Sequence, residues 1–312
     1  MIRVPNWLGD LVLAIPVLRA LRAARPEDHL SLLCPCHFSG LLKALKIADE
    51  IIPLPHSPWG AMKVLWQLRQ RSVEGLYFLT RSRKNDLESF CIRPGKSYAI
   101  AMAKKRYFHV SNTWKPPLDE NLHQTQRMEL WLKDLGILSD LDLQPIPNPG
   151  VVPKSKIALI TGSTNMPFKR WSIHHWRELM QHLLYRYPQH KVILIGSAKD
   201  ALITRQVAQG FDHSRVENLA GQTDLVRLMQ ALRACQLVIG NDTGALHLAN
   251  ALGVPTIGLY GPTNPEHSRP IFEAPCEIVQ PDSLNPSEMK SMDSISAKDV
   301  LEAAARMLPR GR

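Results

Sequence analysis

Short apolar runs alternate with amphipathic stretches along most of the chain. Residues 2–4, 30–34, 50–53, 75–79, 157–160, 191–195, 237–239 and 256–260 read as buried strands. Helical spacing predicts helices over 11–24, 40–45, 66–71, 123–136, 245–252 and 295–308. The segment 96–121 has no clear period and reads as irregular. Strands alternating with helices predict an α/β fold with parallel sheets. Residues 143–153 hold four prolines and a glycine, the composition of extended linking chain. We therefore expect two α/β domains, 1–150 and 151–312.

A length of 312 residues suits two such domains, each with its own core. The balance of 45% hydrophobic and 21% charged residues is that of a globular chain, not a disordered or fibrous one. No apolar run reaches the roughly 18 residues of a membrane span, and the N-terminus has no secretory pattern, so the expected location is the cytoplasm. Five cysteines without repeated zinc-like spacing predict reduced, structural thiols; Cys34-Pro-Cys36 lacks a second pair, and no metal is expected. A net charge of +10 points to anionic partners. Between Arg81 and Lys115, nine basic residues face two acids, Asp86 and Glu88. The cluster has few interleaved aromatics and no recognisable reading module, which argues against nucleic acid.

The most informative stretch is 238–261. Its apolar strand stops at Gly240-Asn241 and a helix follows, so the N–H groups of Thr243, Gly244 and Ala245 are free to meet an anion such as phosphate at the positive end of the helix dipole. His247 lies one turn further on the same face and can donate to that anion, which leaves Asp242 for sugar hydroxyls. The competing reading is an ordinary N-cap with a structural histidine. Ser163 and Thr164 can likewise bond phosphate oxygens, and Lys169 offers a compact cation to a departing diphosphate.

The string Asn241–Pro262 resembles the donor motif of the ADP-heptose:lipopolysaccharide heptosyltransferases, glycosyltransferases of the GT-B fold. Two further segments carry the same resemblance: Pro5-Asn-Trp-Leu-Gly-Asp10, and Lys169-Arg-Trp171 followed by His175-Trp176. The resemblance implies two Rossmann-like α/β/α domains facing a cleft, an N-terminal acceptor domain and a C-terminal nucleotide-sugar domain. It implies Asp10 as the general base of an inverting transfer, with Asn6, Trp7, Ser82 and Lys84 on the acceptor side. It implies Ser163, Thr164, Lys169, Gly196, Ser197, Asp242, Thr243, Gly244 and His247 around an ADP-sugar donor. No cofactor is implied. The implied acceptor is the anionic inner core of lipopolysaccharide, met at the cytoplasmic face of the inner membrane by peripheral contact. Trp171 and Trp176 read as packing residues. The alternatives are a transferase of other donor specificity, a nucleotide-sugar epimerase, or a non-catalytic nucleotide-binding protein.

Overall fold

The computed structural model describes the chain apart from residues 81, 102–106, 118–121, 138–139, 149, 151–152, 164–165, 282–290 and 309–312. It divides into two compact units, Met1–Asp142 and Leu143–Arg312. The division falls ahead of residue 150 because the proline-rich segment already bonds the second unit. The Ile146 N–H donates to the Ala251 carbonyl at 2.7 Å, and Arg233 donates to the Pro147 carbonyl at 3.0 Å.

The first unit runs β1 (Ile2–Arg3), α1 (Leu8–Ala24), β2 (Ser31–Pro35), α2 (Ser39–Leu45), β3 (Glu50–Leu54), α3 (Pro58–Leu68), β4 (Gly75–Phe78), α4 (Lys84–Ile92), β5 (Lys96–Ile100), β6 (Asn112–Trp114) and α5 (Gln124–Asp134). Its described strands form one sheet in the order β3-β2-β1-β4-β5-β6, every pair parallel. Leu33, Leu76, Phe78 and Ala99 on the strands pack with Leu65, Leu68 and Ile92 of the helices. Pro16 inside α1 removes a backbone donor, and Thr125 Oγ1 donates to the Leu13 carbonyl nearby at 2.9 Å.

The second unit runs β7 (Lys156–Ile160), α6 (Ile173–Arg186), β8 (Lys191–Ile195), α7 (Ala201–Ala208), β9 (Val216–Asn218), α8 (Leu225–Arg233), β10 (Cys235–Asn241), α9 (Gly244–Ala251), β11 (Thr256–Leu259), α10 (Pro265–Ser268), β12 (Cys276–Val279) and α11 (Ala297–Met307). The order β12-β11-β10-β7-β8-β9 is again all parallel. Trp171 and Trp176 are buried in its core, edge to face with centroids 4.9 Å apart. Gly253 ends α9 with φ +76°, a left-handed position that glycine adopts without strain.

Each sheet therefore has the doubly wound order 3-2-1-4-5-6. Its topological switch point, where crossovers leave in opposite directions, lies between β1 and β4 in one unit and between β7 and β10 in the other. Three expectations change. The segment 96–121 contains β5, which opens on the polar Lys96-Ser97, and β6, only three residues long, which explains their weak period. Helix α3 covers Pro58–Leu68, with Ser57 as its cap, and so begins well before residue 66. The chain between residue 260 and the helix expected from 295, polar and without a clear period in the sequence, contains α10 and β12.

Candidate active site

In the first unit the chain leaving β1 turns at Asn6 and Trp7 into α1. Trp7 is the extended N-cap residue, so Asp10 lies inside the first turn, half-buried, where a carboxylate is favoured by the helix dipole. Asp10 is not the capping residue of this helix, which begins two residues before it. The turn is anchored by Arg3, buried on β1. Its Nε donates to both Glu88 carboxylate oxygens at 3.2 and 3.0 Å, its Nη1 to the Val4 carbonyl at 2.7 Å and its Nη2 to Asn6 Oδ1 at 2.8 Å. Asn6 is thus held by the scaffold, while Trp7 is 60% exposed. Burial pushes the Glu88 carboxyl up, and the Arg3 guanidinium opposes that shift.

Across the switch point, β4 is followed by the turn that carries Ser82 and Lys84. Ser82 Oγ accepts the Lys84 N–H at 3.2 Å, and the Lys84 side chain is exposed at the start of α4. Thr80 and Asn85 close this turn by bonds of 2.6 and 2.8 Å. Both acids of the basic segment are engaged: Glu88, buried, pairs with Arg3, and half-buried Asp86 accepts the N–H groups of Phe108, His109 and Val110 at Oδ1. Arg83, Lys84, Arg93, Lys96 and Lys115 remain exposed.

In the second unit, Ser163, Gly196-Ser197 and Asp242-Thr243-Gly244 follow the C-terminal ends of three neighbouring strands, β7, β8 and β10. Asn241, fully buried, joins the loops: its Nδ2 donates to the carbonyls of Thr161 and Gly162 at 3.0 and 3.3 Å, and its Oδ1 accepts the Trp171 N–H at 3.3 Å. That last bond brings the Lys169 segment over β10. Lys169 Nζ lies 2.5 Å from Asp242 Oδ2, which also accepts from Thr263 Oγ1 at 3.1 Å. His247 Nε2 is 3.5 Å from Asp242 Oδ1.

Asp242 therefore has both oxygens engaged by this chain's own side chains. His247 turns Nε2 toward that carboxylate. Burial works to raise the Asp242 carboxyl, but His247 and Lys169 together hold it well below the usual carboxylate range. Two polar atoms beside the start of α9, Thr243 Oγ1 and His247 Nδ1, are buried with no hydrogen-bond partner among the described residues. Lys169 keeps two further N–H donors beyond the one facing Asp242.

Ser197 and Asp200 form a reciprocal cap: Ser197 N–H and Oγ both donate to Asp200 Oδ2, at 3.0 and 2.7 Å. Asp200 in turn presses on Gly162, where an added Cβ would lie 2.2 Å from its Cγ, and on Gly196. Arg170 Nη2 approaches Asp200 Oδ1 at 3.7 Å. Ser163 is buried; Thr164 lies outside the described residues. Sequence reasoning missed Asn241, Asp200, Thr263 and the Arg3–Glu88 pair. The Ser-x-x-Asp spacing of a capping box was a signal for Asp200, and an arginine within an apolar strand was one for Arg3. Thr263 had none.

The model of glycosyltransferase family 9 (heptosyltransferase) matches residues 102–294. Lipopolysaccharide heptosyltransferase 2 of Escherichia coli K12 is 25% identical over 299 residues, covering 86% of this chain and 84% of that protein. The solved E. coli ADP-heptose lipopolysaccharide heptosyltransferase II has a TM-score of 0.80 at 23% identity, with 98% of this chain and 97% of that one covered. An E. coli heptosyltransferase solved with ADP gives 0.75 at 16% identity, over 98% and 99% of the two chains. These structures share the fold, which is GT-B. With its family model matched over most of its length, this chain belongs to glycosyltransferase family 9, the heptosyltransferases.

Proposed function

We propose that the chain transfers a heptose from ADP-heptose to the inner core of lipopolysaccharide, with inversion at the anomeric carbon. The observation that carries this reading is the cluster of half-buried Lys169 with buried Asp242 and His247 against the start of α9, beside two polar atoms without a partner among the described residues. An anion arriving there meets the α9 N–H groups, Thr243 Oγ1 and the remaining donors of Lys169. Asp242 fixes the lysine's position and His247 fixes Asp242. Ser163 and the Gly196-Ser197 turn belong to the same donor side, and Gly244 lets the ligand come close to the main chain.

The reaction follows from these parts. Asp10 takes the proton of the acceptor hydroxyl as its oxygen attacks the anomeric carbon from the face opposite the diphosphate. The bond from that carbon to the diphosphate oxygen breaks and ADP leaves. The charge that develops on the diphosphate is met by Lys169 and the α9 N-terminus, groups already in place before the reaction. Asn6, Trp7, Ser82 and Lys84, around the other switch point, are on the acceptor side, and the exposed cations Arg83, Lys84, Arg93 and Lys96 suit an anionic core.

A peripheral seat at the cytoplasmic face of the inner membrane belongs to the same reading. No helix among the described residues is long and apolar enough to cross a membrane. Helix α3 exposes Trp59, Lys63 and Trp66 on one stripe, the composition of a membrane–water interface. Calorimetric titration with ADP, UDP and GDP tests the donor side: selective binding of ADP is expected, and preference for UDP would move the assignment to another donor class.

A further inference from the structure

Strands β2 and β3 lie side by side in parallel, with Pro35 paired to Leu54 as their last matched residues. Cys36 and His37 follow the first strand, and Pro55-His56 the second, so three soft or borderline donors emerge together at the C-terminal edge of the sheet. Pro35 leads directly into the short 3-10 turn Cys36–Phe38, and Ser57 caps α3 by accepting the Gly60 N–H at 3.2 Å; both chain exits are thereby fixed. The sulfur of Cys36 and a nitrogen from each histidine lie within 4.8 Å of one another. The two imidazoles stack with centroids 5.3 Å apart and planes 5° from parallel.

We propose that Cys36, His37 and His56 form a binding site for a zinc-class divalent transition metal, distinct from the residues assigned to transfer. Two imidazoles and a thiolate are the donor set that zinc and cobalt(II) accept, and three protein ligands leave a fourth position open. Bond lengths of about 2.0 Å to nitrogen and 2.3 Å to sulfur put tetrahedral ligand atoms about 3.3–3.6 Å apart. The observed spacing has to contract by roughly 1 Å, which surface side chains can do. Parallel rings also send their in-plane lone pairs side by side, so one imidazole turns about χ2 on binding. That torsion is broad, and both histidines are exposed.

The other cysteines supply the control. Cys34, Cys91 and Cys235 are buried and Cys276 is exposed, so Cys276 is the competing thiol. The test is cobalt(II) titration of the full, tag-free protein, followed by the near-ultraviolet thiolate-to-cobalt charge-transfer band. One equivalent is expected to bind with that band. Cys36→Ser abolishes it, His56→Ala weakens affinity at least about tenfold, and Cys276→Ser leaves it unchanged. Cys36 and His56 are not core residues, and an unchanged far-ultraviolet circular dichroism spectrum of each variant confirms its fold. Absence of the band from the wild type, or its persistence in Cys36→Ser, overturns the site.

Discussion

At the scale of residues, the decisive group is Asp242. A carboxylate taken almost wholly out of water remains ionised only because a lysine and a histidine are packed against it. Its pH behaviour follows. The unfolded carboxyl takes up a proton near pH 3.9 and the folded one only at lower pH, so the pairing stabilises the fold fully above that value and the contribution is lost as pH falls through the folded pKa. Urea unfolding of wild type and Asp242→Asn should therefore give a stability difference that is constant between about pH 7 and 5 and shrinks in acid. A difference that instead grows toward low pH contradicts the pairing. Lys169 has the complementary role. If Lys169 meets the diphosphate as proposed, Lys169→Ala should weaken ADP binding about ten- to hundredfold by calorimetry; unchanged affinity and turnover would remove it from the donor side.

At the scale of elements, the two switch points depend on buried polar links that set loops, and these are where the sequence was least readable. The apolar runs announced β7, β8 and β11 within a residue or so, because fully buried strands leave a continuous pattern. Strands β6 and β9 are only three residues long, and β5 and β12 mix polar with apolar positions, so none of the four left a continuous run. The string 240–247 was legible as a strand, turn and helix. That Asp242 is spent on Lys169 and Thr263 was not, since that contact joins residues far apart in the chain through Asn241. Likewise nothing local ties Arg3 to Glu88. Breaking that buried pair leaves an arginine without its counter-charge, so Glu88→Ala should cost about 3–5 kcal/mol in chemical denaturation. A loss under about 1 kcal/mol would show that the pair does not hold β1 to α4. At the other switch point, Gly162→Ala drives a Cβ into Asp200 and should destabilise by about 1–3 kcal/mol.

At the scale of the whole molecule, two parallel sheets have the same strand order, and the residues singled out from the sequence lie in chain that follows strands beside each switch point. In the first unit they are Asn6, Trp7, Asp10, Ser82 and Lys84, and in the second Ser163, Lys169, Gly196, Ser197, Asp242, Thr243, Gly244 and His247. The net charge of +10 was readable at once; that Glu88 is buried on Arg3 and Asp86 is engaged by three backbone N–H groups, while Arg83, Lys84, Arg93, Lys96 and Lys115 stay exposed, required the structure. Binding to vesicles containing anionic lipid should accordingly weaken with salt, and Trp59→Ala/Trp66→Ala should reduce it further; binding indifferent to both changes would contradict the membrane contact.

The central claim, heptose transfer with Asp10 as base, is tested most directly by mass spectrometry of core lipid lacking the heptose, incubated with ADP-heptose and the enzyme. The wild type is predicted to add one heptose to the acceptor and release one ADP. Asp10→Asn should still bind ADP while its rate falls about 10²- to 10⁴-fold. ADP release without glycosylated acceptor, or an Asp10→Asn variant as fast as wild type, would contradict it.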